Sequence, residues 1–397
     1  MTYQLLKSLY YSDRAAYEEV YQHRFHDDRT VHIGVMIHGN PAFYLPTPEI
    51  YEKTISIQRN VQRIIRMKEQ LPPIAIYQFV MRCLIDEIVI TNDIEGVSST
   101  RREISKVLDD LGTKDHKDRF WGLVHAYSEL TQTPHIHIEN SLDIRNIYDK
   151  IVLDEVVKTD PENRPDGKIF RAGPVHVHSS RMESIHTGVY PEESIIATMD
   201  AALSYLNNGT DDPLFRTAIF HYLTGYIHPF YDGNGRLNRF ISSSLIADEL
   251  DPLMAYRLSF TVKENISKYN RAFRTCNEEL NRGDLTPFLD MFLSVIMQAT
   301  TALLEALNKR LYRLHQYTGL IPTLPHSNDK RVTGLYDALI QFELFSESGA
   351  DIKTLTRTIG ASSVTVKKYL DLIRKEGLLK ETKISRKKYY GIKLENL

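Results

Sequence analysis

The segment 228–239, His-Pro-Phe-Tyr-Asp-Gly-Asn-Gly-Arg-Leu-Asn-Arg, contains the residue types from which phosphate-binding sites are built. Stretches with a helical spacing of apolar residues precede and follow it, at 214–226 and 237–250. This spacing predicts a loop that ends at a helix N-terminus, where unpaired backbone N–H groups and the positive end of the helix dipole attract anions. Gly233 and Gly235 let the backbone approach phosphate oxygens because they carry no Cβ. The segment therefore predicts a polyphosphate site.

Four side chains of this segment add the chemistry of group transfer. His228 is a base with an ordinary pKa of about 6.5, so it can accept a hydroxyl proton near neutral pH. Asp232 carries the hard oxygen ligands that Mg²⁺ prefers. Arg236 and Arg239 lie on the first turns of the predicted helix, where both can face one polyphosphate. Phe230 is predicted to anchor the loop in apolar surroundings.

The segment matches the motif HPFx(D/E)GNGRxxR at every fixed position, and on these residues the chain resembles the Fic family, over roughly residues 40–300. The resemblance implies a mainly α fold, a Fic-type helical bundle with a β-hairpin flap. It also implies a protein adenylyltransferase, which transfers AMP from ATP to a Ser, Thr or Tyr hydroxyl of a target protein or of the chain itself and releases pyrophosphate. Gly235 followed by Arg236 favours AMP transfer over phosphate transfer, because kinase-like relatives carry Ala and Lys in this stretch.

The resemblance also assigns roles to the loop residues. His228 would deprotonate the target hydroxyl, and Asp232 would hold Mg²⁺. The glycine backbone and the asparagine amide would stabilise charge at the α-phosphate, while the two arginines would bind the β- and γ-phosphates. The ATP-binding residues of the loop would thus be Gly233, Asn234, Gly235, Arg236 and Arg239.

An upstream helical segment, residues 84–96, ends with an acidic side chain in line with an apolar stripe. A carboxylate on a buried face needs a cationic partner, because leaving it unpaired is costly. The last six residues, TNDIEG, fit the family's inhibitory motif [ST]xxxE[GN]. The resemblance implies that Glu95 pairs with Arg239, takes the position that the γ-phosphate needs, and represses catalysis until the helix moves. The alternative is an ordinary helix end with a solvated glutamate.

Residues 170–188 alternate apolar and polar side chains and then turn, which predicts a β-hairpin with an exposed edge. The resemblance implies that this hairpin is the flap, which covers the nucleotide and docks the target protein by strand addition. The flap residues over the nucleotide would be Val175, His176, Val177 and His178.

The adenine pocket is expected further along the chain. The family often places two tyrosines and then an asparagine near the base, and here Tyr269 and Asn277 fit, whereas Asn270 stands in the place of the second tyrosine. The alternative for Tyr269 is a core position, as for most aromatic residues at helical spacing.

Residues 330–397 are predicted to form a winged helix-turn-helix domain, with two helices about Gly360 and then a basic hairpin. Residues 351–397 carry a net charge of +7 in a chain whose net charge is −2. This asymmetry predicts a separate partner, either DNA or a protein, including a second copy in a homodimer. The candidate DNA-contacting residues are Lys367, Lys368, Lys375, Arg386, Lys387 and Lys388.

The predicted domains are an N-terminal helical or irregular extension (1–75), the Fic core (76–320, with its loop at 228–239) and the winged unit (330–397). The composition contains no run of about 18 apolar residues and no secretory signal pattern, which predicts a cytoplasmic protein without a membrane partner. Two isolated cysteines make thiol chemistry an unfavoured mechanism.

Two alternative functions stay open on the sequence. The first is an enzyme of the same fold that transfers another nucleotide, such as UMP, or removes AMP, and it would still need His228 and Asp232. The second is a DNA-binding regulator whose Fic domain only senses nucleotide.

Overall fold

A computed structural model describes residues 3–112, 118–133, 135–178, 184–384 and 387–397. Contacts divide the chain into two compact units, Met1–Arg59 with Ile85–Thr301, and Asn60–Leu84 with Ala302–Leu397. The boundaries expected from the sequence were continuous segments. The two units instead combine segments that are far apart in sequence, because contacts between distant residues hold each unit together.

The chain is mainly helical, as predicted. Three helices contain the unit boundaries, namely α3 (Pro48–Glu69), α4 (Pro73–Ile94) and α14 (Thr286–Leu320). The other elements of the first unit are α1 (Leu6–Ser12), α2 (Arg14–Phe25), β1 (Val31–Ile37), β2 (Asn40–Tyr44), α5 (Arg101–Asp110), α6 (Trp121–Glu129), α7 (Ser141–Tyr148), α8 (Asp154–Thr159), β3 (His176–His178), β4 (Ser184–Thr187), α9 (Glu192–Asn208), α10 (Pro213–Ile227), α11 (Asn234–Glu249), α12 (Leu258–Glu264) and α13 (Ile266–Cys276).

The core of the first unit is built on α10 and α11, the two helices that flank the candidate loop. α10 packs against α9 and α11, and 12 of its 15 residues are buried. Its start is defined by Asp212, whose side chain accepts a hydrogen bond from the backbone N–H of Leu214, and by Pro213 in the first turn. A helix apolar on all sides is stable only inside a core. The loop between these two helices is therefore held by a deeply buried part of the unit.

The predicted hairpin over 170–188 is confirmed as the antiparallel pair β3 and β4. His176 pairs with Thr187, and Val177 pairs with His186, before the register shifts. Residues 179–183, which join the strands, lie outside the described residues. A second hairpin, formed by β1 and β2, follows α2 within the predicted N-terminal extension.

The second unit ends in a compact set of elements. They are α15 (Lys330–Phe345), β5 (Ala350–Asp351), α16 (Ile352–Ile359), α17 (Ser363–Lys375), β6 (Leu379–Ile384) and β7 (Lys387–Ile392). Gly360 lies between α16 and α17 in the left-handed region, with φ 64°. The strands form one antiparallel sheet in the order β5-β7-β6. The segment thus contains two helices on either side of Gly360, followed by a β-hairpin.

Within the described ranges, one helical segment is long and apolar enough to cross a membrane by length and composition alone. It spans Thr286–Thr323, and 56% of its most apolar window is buried inside the protein. Such burial is typical of the core helix of a soluble protein, whose apolar surface packs against protein and not lipid.

Candidate active site

The loop between α10 and α11 is shaped by two residues in the left-handed region. His228 ends α10 with φ 51°, and Gly233 precedes α11 with φ 79°. A Cβ on Gly233 would also lie only 3.2 Å from Val152 and 3.3 Å from Tyr148, so both the backbone conformation and crowding disfavour a side chain there. The motif thus reaches the N-terminus of α11, where the first backbone N–H groups have no intrahelical partner.

Phe230 anchors this loop, as predicted. Its ring is fully buried and stacks on Tyr148, with ring centroids 3.6 Å apart and an interplanar angle of 8°. Phe170, at the base of the flap, meets the same ring edge-on at 5.4 Å. The Tyr148 hydroxyl also donates to the carbonyl of Asp232 at 3.2 Å. Aromatic contacts therefore hold the loop on both sides of its turn.

Asn234 binds the loop itself. Its Oδ1 accepts from the backbone N–H of Phe230 at 2.9 Å, and its Nδ2 donates to the carbonyl of the same residue at 2.8 Å. The side chain is buried, so both ends of the amide are used to close the turn. This geometry differs from the expected role at the α-phosphate, because the amide is engaged in bracing the backbone that would bind the phosphate.

Arg171 is a further positioning residue that was not predicted from the sequence. Its guanidinium is buried and donates to the carbonyls of His228 at 2.9 Å, Gly173 at 2.6 Å and Val189 at 2.7 Å. It therefore ties both sides of the flap base to the start of the loop. The only signal in the sequence was a lone arginine in an apolar, glycine-containing segment. The pairing depends on residues 57 positions apart, which spacing alone does not reveal.

His228 is held neutral by its surroundings. Burial lowers the pKa of its imidazole to about 4, and the nearby Glu95 carboxylate opposes this shift. His186 and Arg171 lower the pKa further, since positive charge nearby disfavours protonation. A neutral imidazole can accept a proton, so near pH 7 this side chain is in the form that a general base requires.

Asp232 and Arg236 face each other across the first turn of α11. The Asp232 carboxylate is 42% exposed, and its Oδ1 accepts from the backbone N–H of Gly233 at 2.6 Å. Arg236 is almost fully buried and pairs with Glu155, at 2.5 Å from Nη1 to Oε2. Its Nη2 lies 3.9 Å from Asp232 Oδ2, and within the described part of the chain neither Nη2 nor Nε has a hydrogen-bond partner. Buried donors of this kind are suited to an anionic ligand.

Glu95 occupies the anion site at the N-terminus of α11. It follows the last residue of α4, and its Oε1 accepts from Arg239 Nη2 at 2.9 Å. A Cβ on Gly235 would clash with this carboxylate, so the acid lies directly against the glycine backbone. Burial opposes the charge on Arg239, but Glu95 and Tyr269 outweigh it and raise the pKa of the guanidinium. The ion pair expected between the two motifs is present in the structure.

Two further residues of α4 share this face of the helix. Thr91 accepts from Arg239 Nε at 2.8 Å, and its carbonyl accepts from Nη2 at 3.0 Å. Glu87 is fully buried, and its Oε1 accepts from the backbone N–H of Ser259 at 2.8 Å. Burial raises the pKa of Glu87. Glu87 was not predicted, although it precedes Thr91 by four residues and Glu95 by eight, the spacing of one helical face.

Comparison with known proteins identifies this arrangement. Residues 140–246, which include the β3–β4 hairpin, α10 and the loop at 228–239, match the model of the Fic/DOC family. The chain therefore contains a Fic domain. A Fic family protein from Desulfovibrio desulfuricans has a similar structure, with a TM-score of 0.53 and 20% sequence identity over 88% of this chain and 97% of that one. A Fic domain-containing signalling protein from Bacteroides thetaiotaomicron aligns with a TM-score of 0.44 and 18% identity over 64% of this chain and 97% of that one.

The flap of this Fic domain is partly described. Val175 is half-buried, and its carbonyl accepts from the backbone N–H of Gly188 at 3.1 Å. His176 is exposed, and its Nδ1 lies 3.1 Å from Thr187 Oγ1 across the hairpin. The side chains expected at Val177 and His178 lie outside the described residues, although the backbone of both belongs to β3.

The two residues expected at the adenine bond other side chains of the first unit. Tyr269 is buried, and its hydroxyl bonds His221 Nε2 at 2.6 Å, while Asn277 Oδ1 accepts from the Tyr222 hydroxyl at 2.5 Å. Tyr269 therefore lies in the aromatic core beside α10, which is the alternative that its helical spacing left open. These contacts give both polar groups a protein partner.

The residues present fit a magnesium nucleotide. Among the described residues no group of three His, Cys, Asp or Glu side chains could hold a metal ion. Mg²⁺ bound with a nucleotide commonly takes only one or two carboxylates, with phosphates and water as its other ligands. Asp232, which is half-exposed and lies beside the free donors of Arg236, is the side chain that would supply this ligand.

Proposed function

We propose that the Fic domain is a protein adenylyltransferase that uses ATP and Mg²⁺, and that Glu95 represses it. The observation that carries this proposal is the position of the Glu95 carboxylate, against Gly235 and bonded to Arg239. The N-terminus of α11 and a buried guanidinium form a site for an anion, and this site holds an acid of the same chain. A phosphate of ATP must displace that acid to bind there.

The loop residues divide the reaction between them. Neutral His228 takes the proton of a target hydroxyl as its oxygen attacks the α-phosphorus of ATP. The bond from the α-phosphorus to the oxygen bridging to the β-phosphate breaks, and pyrophosphate leaves. The backbone at the start of α11 stabilises charge on the α-phosphate, while Arg236 and Arg239 bind the other phosphates. Mg²⁺ held by Asp232 would neutralise phosphate charge when bound.

The flap supplies the docking site for the target. The outer edge of a two-stranded hairpin has unpaired backbone groups that an extended segment can join. Arg171 bonds the flap base to His228, so a segment paired with the flap is held close to the base that must receive its proton. A target hydroxyl on another protein or on a second copy of this chain can use the same edge. We place the protein in the cytoplasm, where ATP and Mg²⁺ are abundant.

The proposal is tested by the position of a radioactive label in ATP. Protein carrying Glu95→Gly is incubated with Mg²⁺ and a cell lysate, and with ATP labelled at the α-phosphate, ATP labelled at the γ-phosphate, or UTP labelled at the α-phosphate. We expect protein-bound label from α-labelled ATP and labelled pyrophosphate from γ-labelled ATP. Protein label from the γ-position instead would indicate a phosphotransferase, and label only from α-labelled UTP would indicate transfer of UMP.

A second candidate function, binding of duplex DNA, is favoured by the exposed face of α17. Lys367 and Lys368 are exposed there, and neither makes an ion pair with any described residue. Val364, at the first turn of the same helix, is 76% exposed, and β6 and β7 present further lysines at 383, 387 and 388. Cations without partners beside an exposed helix complement a phosphate backbone. Arg386 lies outside the described residues.

We expect Lys367→Glu with Lys368→Glu to weaken binding of a labelled DNA duplex, measured by fluorescence anisotropy over a series of salt concentrations. Loss of two phosphate contacts should reduce the slope of log affinity against log salt by about 1.8. The matched control is Lys309→Glu with Lys330→Glu, which makes the same change of charge at two other exposed positions of the second unit. Equal binding by both double variants would instead favour a protein partner for this face.

A further inference from the structure

The carboxylate of Glu155 lies between two arginines from different parts of the first unit. Its Oε2 accepts from Arg236 Nη1 at 2.5 Å, and its Oε1 accepts from Arg119 Nη2 at 3.0 Å. The Thr159 hydroxyl, one turn further along α8, also donates to Oε1 at 3.2 Å. Glu155 is 8% exposed and Arg236 is 1% exposed, so this pair is shielded from solvent.

Arg119 connects this carboxylate to the segment after α4. Its Nη1 donates to the carbonyl of Ser98 at 3.0 Å, while Nη2 contacts Glu155. Ser98 follows Glu95 by three residues, and Gly96 between them is in the left-handed region with φ 72°. The chain at the end of α4 is therefore attached to α11 at two points. Glu95 binds Arg239 directly, and Ser98 is connected to Arg236 through Arg119 and Glu155.

Glu155 is the counter-charge that a buried Arg236 requires. A guanidinium shielded from water is stabilised as a cation when a carboxylate accepts its hydrogen bonds. Burial raises the pKa of Glu155, but Arg236 and Arg119 outweigh burial and hold it below its ordinary value. Glu155 accepts a hydrogen bond from Nη1 of Arg236 and none from Nη2. The Nη2 group of Arg236 is therefore left facing Asp232. The carboxylate thus determines where the free donors point.

We propose that Glu155 is the positioning residue that aims Arg236 at the nucleotide phosphates, and that Arg119 uses the same carboxylate to latch the segment after the inhibitory helix. The inference rests on the proposed function, because it assumes that a nucleotide binds at the motif. When α4 withdraws, Ser98 leaves Arg119, and Glu155 keeps its contact with Arg236. Loss of Arg119 therefore favours the open state, whereas loss of the Glu155 charge weakens the nucleotide site itself.

The test measures the dissociation constant of ATP with Mg²⁺ by calorimetry, in full-length protein with and without Glu95→Gly. We expect Arg119→Gln to tighten ATP binding about fivefold when Glu95 is present and to have no effect in the Glu95→Gly background. Glu155→Gln should weaken binding about tenfold in the Glu95→Gly background. Lys158→Gln serves as the matched control, because it removes an exposed charge from α8 whose one ion pair among the described residues is with Asp154.

The dependence of Arg119→Gln on Glu95 separates a latch from a general structural contact. The latch would be overturned if Arg119→Gln changed the ATP dissociation constant equally with and without Glu95→Gly, or changed it in neither case. The positioning role would be overturned if folded Glu155→Gln protein bound ATP with an unchanged dissociation constant. Thermal unfolding of each variant shows which are folded, and half-exposed Arg119 carries the test if Glu155→Gln does not fold. Failure of Glu95→Gly protein to bind ATP would overturn the proposed function and this inference with it.

Discussion

Replacing Glu95 with glycine is expected to raise the transfer of α-labelled AMP to protein by about 10- to 100-fold. The change removes one hydrogen bond between charged groups, and bonds of this kind contribute about 1.5–3 kcal/mol. It also clears the N-terminus of α11, because the Glu95 carboxylate lies where a Cβ on Gly235 would be. Label incorporation into lysate proteins, compared between wild type and the variant at equal protein concentration, measures the effect.

The matched control for Glu95 is an acid at the end of the same helix. Asp93 is 54% exposed and pairs with Lys263, not with an arginine of the motif. Asp93→Gly therefore introduces the same residue near the end of α4 without opening the anion site, and transfer by this variant should stay at the level of wild type. Activation by Asp93→Gly to the same extent would mean that loosening α4 is sufficient, and autoinhibition by the Glu95 carboxylate would be wrong.

His228→Ala in the Glu95→Gly background is expected to reduce label transfer by about 10²- to 10⁴-fold, the range for losing a general base. ATP binding should persist, since the phosphates are held by α11 and its arginines. Calorimetry with ATP and Mg²⁺ thus separates loss of chemistry from loss of binding. His135→Ala, at an exposed histidine paired with Asp248, is the control for removing an imidazole elsewhere. Undiminished transfer by His228→Ala would exclude this side chain as the base.

The pH dependence provides a second measurement of the same role. Because burial lowers the pKa of His228 to about 4, the imidazole stays able to accept a proton well below its ordinary value of about 6.5. The acid limb of the transfer rate in Glu95→Gly protein should therefore fall at or below about pH 4, as long as the protein stays folded. The same shift costs stability as pH falls from 6.5 toward 4, because the unfolded histidine binds a proton that the folded one does not.

Several features of the site were predicted from local sequence. Alternating helical stretches around a loop with two glycines predicted the N-terminus of α11, since helix starts depend on residues within one or two turns. The burial of Phe230 followed from its place in that loop. The contact between Glu95 and Arg239, residues 144 positions apart, came from recognising two family motifs and not from spacing.

Other features depended on where distant elements meet. Glu155 reaches Arg236 across 81 residues, and Arg171 reaches the carbonyl of His228 across 57, so neither pairing has a local signal. The sequence left open whether Tyr269 contacts the adenine or lies in the core. In the structure its hydroxyl bonds His221 inside the aromatic core. Helical spacing tells which residues share a face, but not which element covers that face.

The sequence by itself thus determined the family resemblance, the helical class and the set of groups available for phosphate chemistry, because these depend on residue types at short, regular intervals. The tertiary structure alone decided how each group is used. Asn234 closes its own turn because its amide bonds both backbone groups of Phe230, and Arg236 keeps two free donors because Glu155 binds only its Nη1. Burial and long-range pairing make these choices, and both come into being only when the chain folds.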